Sequence, residues 1–116
     1  MAAYVFVNIT AGHFKVWGYD FFSSDNGGQV ITYWGRIGLP MQHLTKNNKH
    51  FENSGDGFDY CRKKCDEKFC KQYKAIPNWL YFSLIETATG IAKLIKIIKQ
   101  MGEVQYYEPP QKRKTA

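Results

Sequence analysis

The sequence lacks any apolar stretch of the roughly 20 residues that a membrane-spanning helix needs. Its most apolar C-terminal segment is interrupted by Lys93, Lys96 and Lys99, so we expect no membrane partner. The first ten residues have no basic region, and Asn8 interrupts their apolar run. They predict a β-strand and not a signal peptide. We therefore expect an intracellular protein, cytoplasmic or, in a nucleated cell, nuclear.

Cysteine is also scarce. The three cysteines, Cys61, Cys65 and Cys70, lie within ten residues. An odd, clustered set is unlike the even framework of disulfide-stabilised secreted domains, so reduced thiols are expected. A zinc site completed by His43 or His50 is the alternative. Cysteines on one continuous helix lack the tight knuckle of zinc sites and coincide with its apolar stripe, so we expect no metal and no cofactor.

No arrangement of residues predicts catalysis. The three histidines are scattered along the chain. The sequence has no nucleophile spaced with a base, no plausible carboxylate pair and no glycine-rich phosphate loop. We therefore expect a protein that is not an enzyme and has no small-molecule substrate.

The composition instead favours a compact binding domain. Of the 116 residues, 44% are hydrophobic and 16% aromatic, which is enough for one core. Sixteen basic and 10 acidic residues give a formal net charge of +6. This charge favours a polyanionic partner, although excess lysine often serves solubility alone. Nucleic acid is thus the first partner class to weigh.

The first half of the chain predicts antiparallel strands. Three runs rich in β-forming residues occupy positions 4–9, 13–22 and 29–37. Turn-forming residues separate them, and those at 23–28 predict a hairpin between the second and third runs. Residues 38–49 predict a loop, followed by a weak edge strand that includes His50 and Phe51.

The second half predicts two helices with a strand between them. Asp56 is the expected cap of a first helix that runs to about Tyr73. Its apolar stripe should pack on the sheet and consists of Phe58, Cys61, Cys65, Phe69 and Tyr73. Its many lysines could follow the phosphates of a nucleic acid, but a charge run opposite an apolar stripe is more typical of a solvated face. Pro77 predicts a break, residues 79–85 a further strand, and residues 87–101 a second helix weakened by Gly90.

These elements predict an α+β protein. Residues 1–86 should form one domain, a small antiparallel β-sheet with one helix packed across it. Residues 87–101 should form an additional C-terminal helix on or beside this domain. Residues 102–116 are polar, proline-containing and basic, so they predict a flexible, disordered tail.

The strand at 29–37 carries the candidate binding residues. Side chains alternate between the faces of a strand, so Trp34 and Arg36 share a face. The two sets are Val30, Thr32, Trp34 and Arg36 on one side, and Ile31, Tyr33, Gly35 and Ile37 on the other. The second set suits a helix-facing core, in which Gly35 leaves room for close approach.

Two interpretations of the first set stay open. The Trp34 indole offers a flat surface to a base or sugar, and the Arg36 guanidinium can bind a phosphate through two donors. Alternatively, Trp34 is a core residue over which Arg36 stacks, and the cation–π pair has a structural role only. Alternation by itself does not separate them.

The stretch Thr32-Tyr33-Trp34-Gly35-Arg36-Ile37-Gly38 resembles the signature strand of the WGR domain. That module is named for its Trp-Gly-Arg triplet and is found in DNA-dependent poly(ADP-ribose) polymerases and in bacterial proteins. The order of elements over residues 4–84 is similar too. An aromatic strand precedes the triplet, and a Lys-Phe segment and a basic helix follow it.

The resemblance implies an antiparallel sheet crossed by a helix, and binding to DNA breaks. It implies that Trp34 packs against the sugar of a terminal nucleotide and that Arg36 acts near the 5′ end. Where polymerase versions often have Asn-Lys before the aromatic strand, this chain has Gly12-His13, with Lys15 inside the strand.

A tyrosine in the last strand of the family corresponds to Trp79 or to Tyr81. Lys46 and Lys49 are expected auxiliary cations. The full candidate nucleic-acid-binding set is therefore Trp34, Gly35, Arg36, His13, Lys15, Lys46, Lys49, Trp79 and Tyr81.

Two functions follow from these residues. The first is a stand-alone WGR-like module that binds DNA, including ends or nicks, and would belong with DNA repair and ADP-ribosylation. The second is a protein-interaction or regulatory module for a partner enzyme, which would use the Trp34 face or the C-terminal helix.

Overall fold

The computed structural model describes residues 4–101 as an α+β fold with a five-stranded antiparallel sheet and three α-helices. The strands are β1 (Tyr4–Asn8), β2 (Lys15–Ser24), β3 (Gly27–Arg36), β4 (Thr45–Phe51) and β5 (Lys74–Pro77). The helices are α1 (Ser54–Cys70), α2 (Asn78–Leu84) and α3 (Ala88–Gln100). Single turns of 3-10 helix lie at Thr10–Gly12 and Met41–His43.

The sheet has the strand order β4-β3-β2-β1-β5, and each strand is antiparallel to its neighbours. The predicted hairpin between β2 and β3 is confirmed, with Ser24 paired to Gly27 across the Asp25-Asn26 turn. Positive φ falls on Gly27, at 112°, where a side chain would meet the carbonyl oxygens of Phe51 and Glu52.

One face of the sheet, which we call the closed face, lies beneath α2 and α3. It presents Val5, Val7, Val16, Tyr33 and Ile37, which form one buried cluster with Tyr81, Leu94 and Ile98 of the two helices. Tyr33 and Ile37 thus face helices as predicted, while Ile31 is only half-buried. The apolar stripe of α3 belongs to the main core.

Helix α1 packs on the other face, which we call the open face. Its Phe69 ring lies 5.1 Å from the Phe6 ring, and Phe6 lies 5.5 Å from Trp17. Helix α1 thus corresponds to the helix expected across the sheet, and α2 and α3 cover the opposite face.

The beginning and end of α1 differ from the prediction. Asn53 caps the helix, because its side-chain oxygen accepts the Gly55 N–H at 2.7 Å, while Asp56 lies in the first turn. The helix ends at Cys70, since Gln72 adopts a positive φ of 68°. Tyr73 is buried outside the helix.

The predicted apolar stripe of α1 is partly wrong. Phe58 is 54% exposed, whereas its neighbour Gly57 is buried against the Phe21 ring. A glycine at this contact brings the helix close to the sheet, which a search for large apolar residues overlooks. Cys61, which is buried, follows Gly57 by one helical turn.

The predicted strand at 79–85 is wrong. Residues 74–77 form β5, and residues 78–84 form α2. Leu80, Tyr81, Leu84 and Ile85 all contact the main core, and this spacing places them on one side of a helix. In so short a segment, apolar alternation and helical spacing look alike.

The helix predicted at 87–101 is confirmed. Its cap is Thr87, whose hydroxyl accepts the Gly90 N–H at 2.9 Å. No helix among residues 4–101 is long and apolar enough to cross a membrane. The predicted disordered tail, residues 102–116, lies outside the described residues.

A first prediction concerns the β2–β3 register. Gly18 pairs with Tyr33, and a methyl group on Gly18 would overlap the buried Tyr33 ring. Gly18→Ala should lower the free energy of unfolding by about 1–3 kcal/mol, because the core must shift to admit the methyl group. Urea denaturation measures the change.

The matched test is the double variant Gly18→Ala, Tyr33→Leu. Because the shorter side chain clears the overlap, it should lose less stability than the sum of the two single variants. If the stability losses of the two single variants simply add up in the double variant, the contact between residues 18 and 33 does not constrain the register. The same conclusion follows if Gly18→Ala leaves the urea midpoint unchanged.

Candidate nucleic-acid interface

Helix α1 leaves part of the open face uncovered, and a groove of about 1160 Å³ lies there. Its floor is formed by β2 and β3, with Trp17 and Trp34 among the lining residues. Helix α1 forms one side through Lys64 and Lys68, together with Lys71, which caps its C-terminus. The segment 10–13 lines the groove at the end of β1.

Two cross-strand pairs place the central side chains on the floor. Trp17 lies directly opposite Trp34, and Lys15 lies directly opposite Arg36. Partners opposite one another share a face of the sheet. The antiparallel register thus places two tryptophans and two cations side by side on the open face.

The two tryptophans differ in accessibility. Trp17 is buried, and the Lys68 ammonium lies 5.4 Å from its ring centroid. Trp34 is 40% exposed. The Arg36 guanidinium lies over the Phe14 ring, 5.3 Å from its centroid. The structural alternative, in which Trp34 is a core residue, therefore does not hold.

The position between Trp34 and Arg36 has room only for a glycine. Gly35 faces the closed side of the sheet, where a Cβ atom would lie 2.8 Å from Cδ2 of Leu44. Leu44 is buried in the main core. A side chain at 35 would thus push against the core beneath the groove.

The groove concentrates positive charge. Lys15 and Arg36 are like charges directly opposite each other, an arrangement that costs stability. Among residues 4–101, one ion pair is formed, between Lys64 and Glu67 at 3.3 Å. The facing cations on the floor therefore have no carboxylate partner in the described part of the chain.

Lys68 shows how closely these cations approach each other. Burial lowers the pKa of its ammonium, and the nearby charges of Lys71, Lys64 and Lys15 lower it further, while Glu67 opposes them. Lys15 belongs to β2, Lys64 and Lys68 to α1, and Lys71 to the C-cap of α1. The helix and the sheet thus contribute to one positive field.

Asn8 fixes the end of the groove. Its amide donates to the Lys71 carbonyl at 3.2 Å, and its side-chain oxygen accepts from the N–H and hydroxyl of Thr10 at 2.8 and 2.6 Å. Asn8 is buried. One polar side chain therefore joins β1, the turn at Thr10–Gly12 and the end of α1.

Five of the predicted site residues line the groove together. They are Trp34, Gly35, Arg36, His13 and Lys15. They come from the end of β3, which carries the Trp-Gly-Arg triplet, and from the residues at the start of β2.

The other four predicted residues do not line the groove. Lys49 lies on the open face, but its ammonium lies over the Tyr60 ring of α1, 4.7 Å from the centroid. Lys46 pairs with Tyr33 and so belongs to the opposite face, where its ammonium donates to the Met41 carbonyl at 2.7 Å.

Trp79 and Tyr81 both lie on α2. Tyr81 is fully buried, and its hydroxyl accepts the Gly38 N–H at 3.3 Å. Burial raises the pKa of Tyr81 to about 12. Trp79 is 62% exposed, away from the groove lining. Neither supplies an aromatic surface to the site.

The sequence interpretation missed the α1 wall. Lys64, Lys68 and Lys71 were expected on a solvated helix face, yet all three line the groove. Their spacing of four and three residues is the signal, since it places them along one side of a helix. Nothing local to the helix indicates that this side adjoins Trp34.

The cysteines occupy different environments and none is in a disulfide. Burial raises the pKa of the Cys61 thiol to about 11. Cys70 is exposed and lines the groove. Within residues 4–101 no group of three histidine, cysteine or acidic side chains is arranged to hold a metal ion.

Fold and site together define a small α+β protein with a basic, tryptophan-lined groove. Comparisons with models of protein families, with curated proteins and with solved structures found no match. The resemblance to the WGR domain therefore stays a prediction based on the motif and the order of the elements.

A second prediction concerns Asn8. Asn8→Ala should lower the free energy of unfolding by about 1–3 kcal/mol, because the partly buried hydrogen bonds to Thr10 and Lys71 are lost. Hydrogen exchange at the Thr10 amide should accelerate. The control is Asn48→Ala, which removes an exposed bond from Gln29 and should cost less than about 0.5 kcal/mol. Equal losses in both variants would contradict the assigned role.

Proposed function

We propose that this protein is a WGR-like module that binds DNA, including ends or nicks, in the groove on its open face. The observation that carries the proposal is an exposed tryptophan, Trp34, beside two facing cations, Lys15 and Arg36, that have no acidic partner among residues 4–101. Binding, without catalysis, is the role that these side chains support.

Trp34 supplies the stacking surface. An exposed indole on a rigid strand offers a flat apolar plane to a nucleotide base, at a gain of about 1–3 kcal/mol per base. Pairing with β2 and β4 on either side fixes the backbone that carries the ring. Little backbone freedom is therefore lost on binding.

Arg36 and Lys15 supply phosphate contacts. The guanidinium matches a phosphate through two parallel donors, and the contact with Phe14 limits its motion before binding. A phosphate between the two cations would also relieve their mutual repulsion. Released counterions add to the affinity, so binding should weaken steeply with salt.

The N-terminal boundary of the groove distinguishes this chain from polymerase versions. Gly12-His13 stands where those often have Asn-Lys, and both residues line the groove. The chain thus has a histidine in place of a permanent cation at this point, with Lys15 the nearest lysine in sequence. The proposal therefore concerns DNA binding first, and break recognition second.

A third prediction tests this site. Trp34→Ala should weaken DNA binding by about 5- to 150-fold, the equivalent of one lost stacking contact. Arg36→Ala should weaken it and also flatten its salt dependence, because one phosphate contact is lost. Fluorescence anisotropy with labelled single-stranded, nicked and blunt DNA at two salt concentrations measures both effects.

The control is Trp79→Ala, which removes an equally large exposed ring outside the groove lining. It should leave DNA affinity unchanged. Absence of binding to every DNA at low salt would refute the proposal, as would equal losses in Trp34→Ala and Trp79→Ala.

A protein-interaction module is the second candidate function. The exposed Trp79 ring on α2 favours it, since single large aromatics are frequent anchors of protein interfaces. The C-terminal helix fits this role less well, because its Leu94 and Ile98 are buried in the core.

Sedimentation tests this candidate as a fourth prediction. If the protein self-associates through α2, Trp79→Ala should shift it to the monomer and Trp34→Ala should not. An unchanged oligomeric state in both variants would leave the Trp79 surface without this role.

A further inference from the structure

We infer that the groove takes a short single-stranded stretch of nucleic acid, with its phosphates along the lysines of α1 and an unstacked base on Trp34. The inference rests on the proposed function and adds the form of nucleic acid that the site prefers. Three features carry it: the recessed position of the aromatic floor, the row of lysines, and the separation of the two.

The floor of the groove is recessed between a helix and a turn. Helix α1 stands on one side, and the segment 10–13 is tied to its end through Asn8. In a duplex, the base faces are stacked inside and the backbones lie outside. A base in the interior of a duplex can therefore lie flat on an indole in this recess only after it has left its stack.

The lysines form a row along the groove. Lys64, Lys68 and Lys71 are separated along the helix axis by about 6 and 4.5 Å, given a rise of about 1.5 Å per residue. All three line the groove, while the adjacent Lys63 does not. A row of cations along a groove follows a nucleic-acid backbone in any sequence.

Lys68 is the centre of this row. Its ammonium lies 5.4 Å from the Trp17 ring centroid and 5.0 Å from that of Tyr73, so it sits between the helix and the floor. Lys64 is partly neutralised by Glu67, at 3.3 Å. Lys68 and Lys71 therefore carry most of the charge available to phosphates on this side.

The lysine row and the stacking surface lie on different sides of the groove, while Lys15 and Arg36 lie on the floor beside Trp34. Lys64 and Lys68 belong to α1 and Lys71 directly follows its last residue, whereas Trp34 belongs to β3. A single strand presents its backbone on one edge and its bases on the other, which matches this division. A duplex presents two backbones with paired bases between them, and only the outer faces of its terminal pairs are open to Trp34.

The test compares three DNAs of one sequence by fluorescence anisotropy: a single strand, a blunt duplex, and the duplex with a single-stranded overhang. The single strand and the overhang should bind at least about tenfold tighter than the blunt duplex, since an unpaired base can enter the groove and stack on Trp34, whereas a terminal pair must enter with both of its backbones. Blunt duplex bound as tightly as the single strand would overturn the inference and leave the proposed function standing. No binding to any of the three would refute both.

Matched lysine variants test the path of the backbone. Lys68→Gln and Lys71→Gln should each weaken binding to the single strand and reduce its salt slope by about 0.7. Lys68→Arg, which keeps the charge, should retain most of the affinity. Lys63→Gln makes the same charge change on the same helix outside the groove and should leave the slope unchanged.

A loss in Lys63→Gln equal to that in Lys71→Gln would overturn the inference, because net charge alone would then explain the binding. Circular dichroism of each variant verifies folding. Lys71 is exposed, so Lys71→Gln keeps the comparison valid if the partly buried Lys68 does not tolerate replacement.

Discussion

The contact of the Tyr33 ring with Gly18 is the constraint on which the site depends. It fixes how β3 pairs with β2, and a slip of one residue would exchange the two faces of the strand. In the observed register Tyr33 enters the core beneath α2 and α3, and its neighbour Trp34 turns to the open face. The same packing that stabilises the core therefore determines which tryptophan is exposed.

The groove combines a stable frame with unfavourable electrostatics. Asn8 joins three elements around it through well-satisfied hydrogen bonds. Within that frame Lys15 faces Arg36, and burial together with neighbouring lysines lowers the pKa of the Lys68 ammonium. Local conflicts of this kind are expected where residues serve a ligand more than the fold. A polyanion would resolve them, which is why charge and exposed aromatic surface together support nucleic-acid binding.

The sequence predicted those features that depend on neighbouring residues. Alternation along one strand placed Trp34 and Arg36 on a shared face, and turn chemistry indicated the hairpin at 23–28. It did not predict features that arise from contacts distant in the chain. Lys46 and Lys49 lie on opposite faces of the sheet, and the pairing of β4 with β3 decides which of them is on the open face. Likewise, Lys68 meets Trp17 only because α1 crosses the sheet, and α2 was mistaken for a strand because seven residues carry too little periodic information.

An NMR titration with a single-stranded oligonucleotide tests the central claim most directly, because it follows the indole signal of each tryptophan. The chain has three tryptophans, one exposed in the groove, one buried beneath Lys68 and one exposed on α2. The structure predicts large, saturable shifts of the Trp34 ring signals together with those of Lys68 and Lys71, while Trp79 stays unchanged. Shifts at Trp79 with Trp34 unaffected would contradict the assignment of the groove as the binding site.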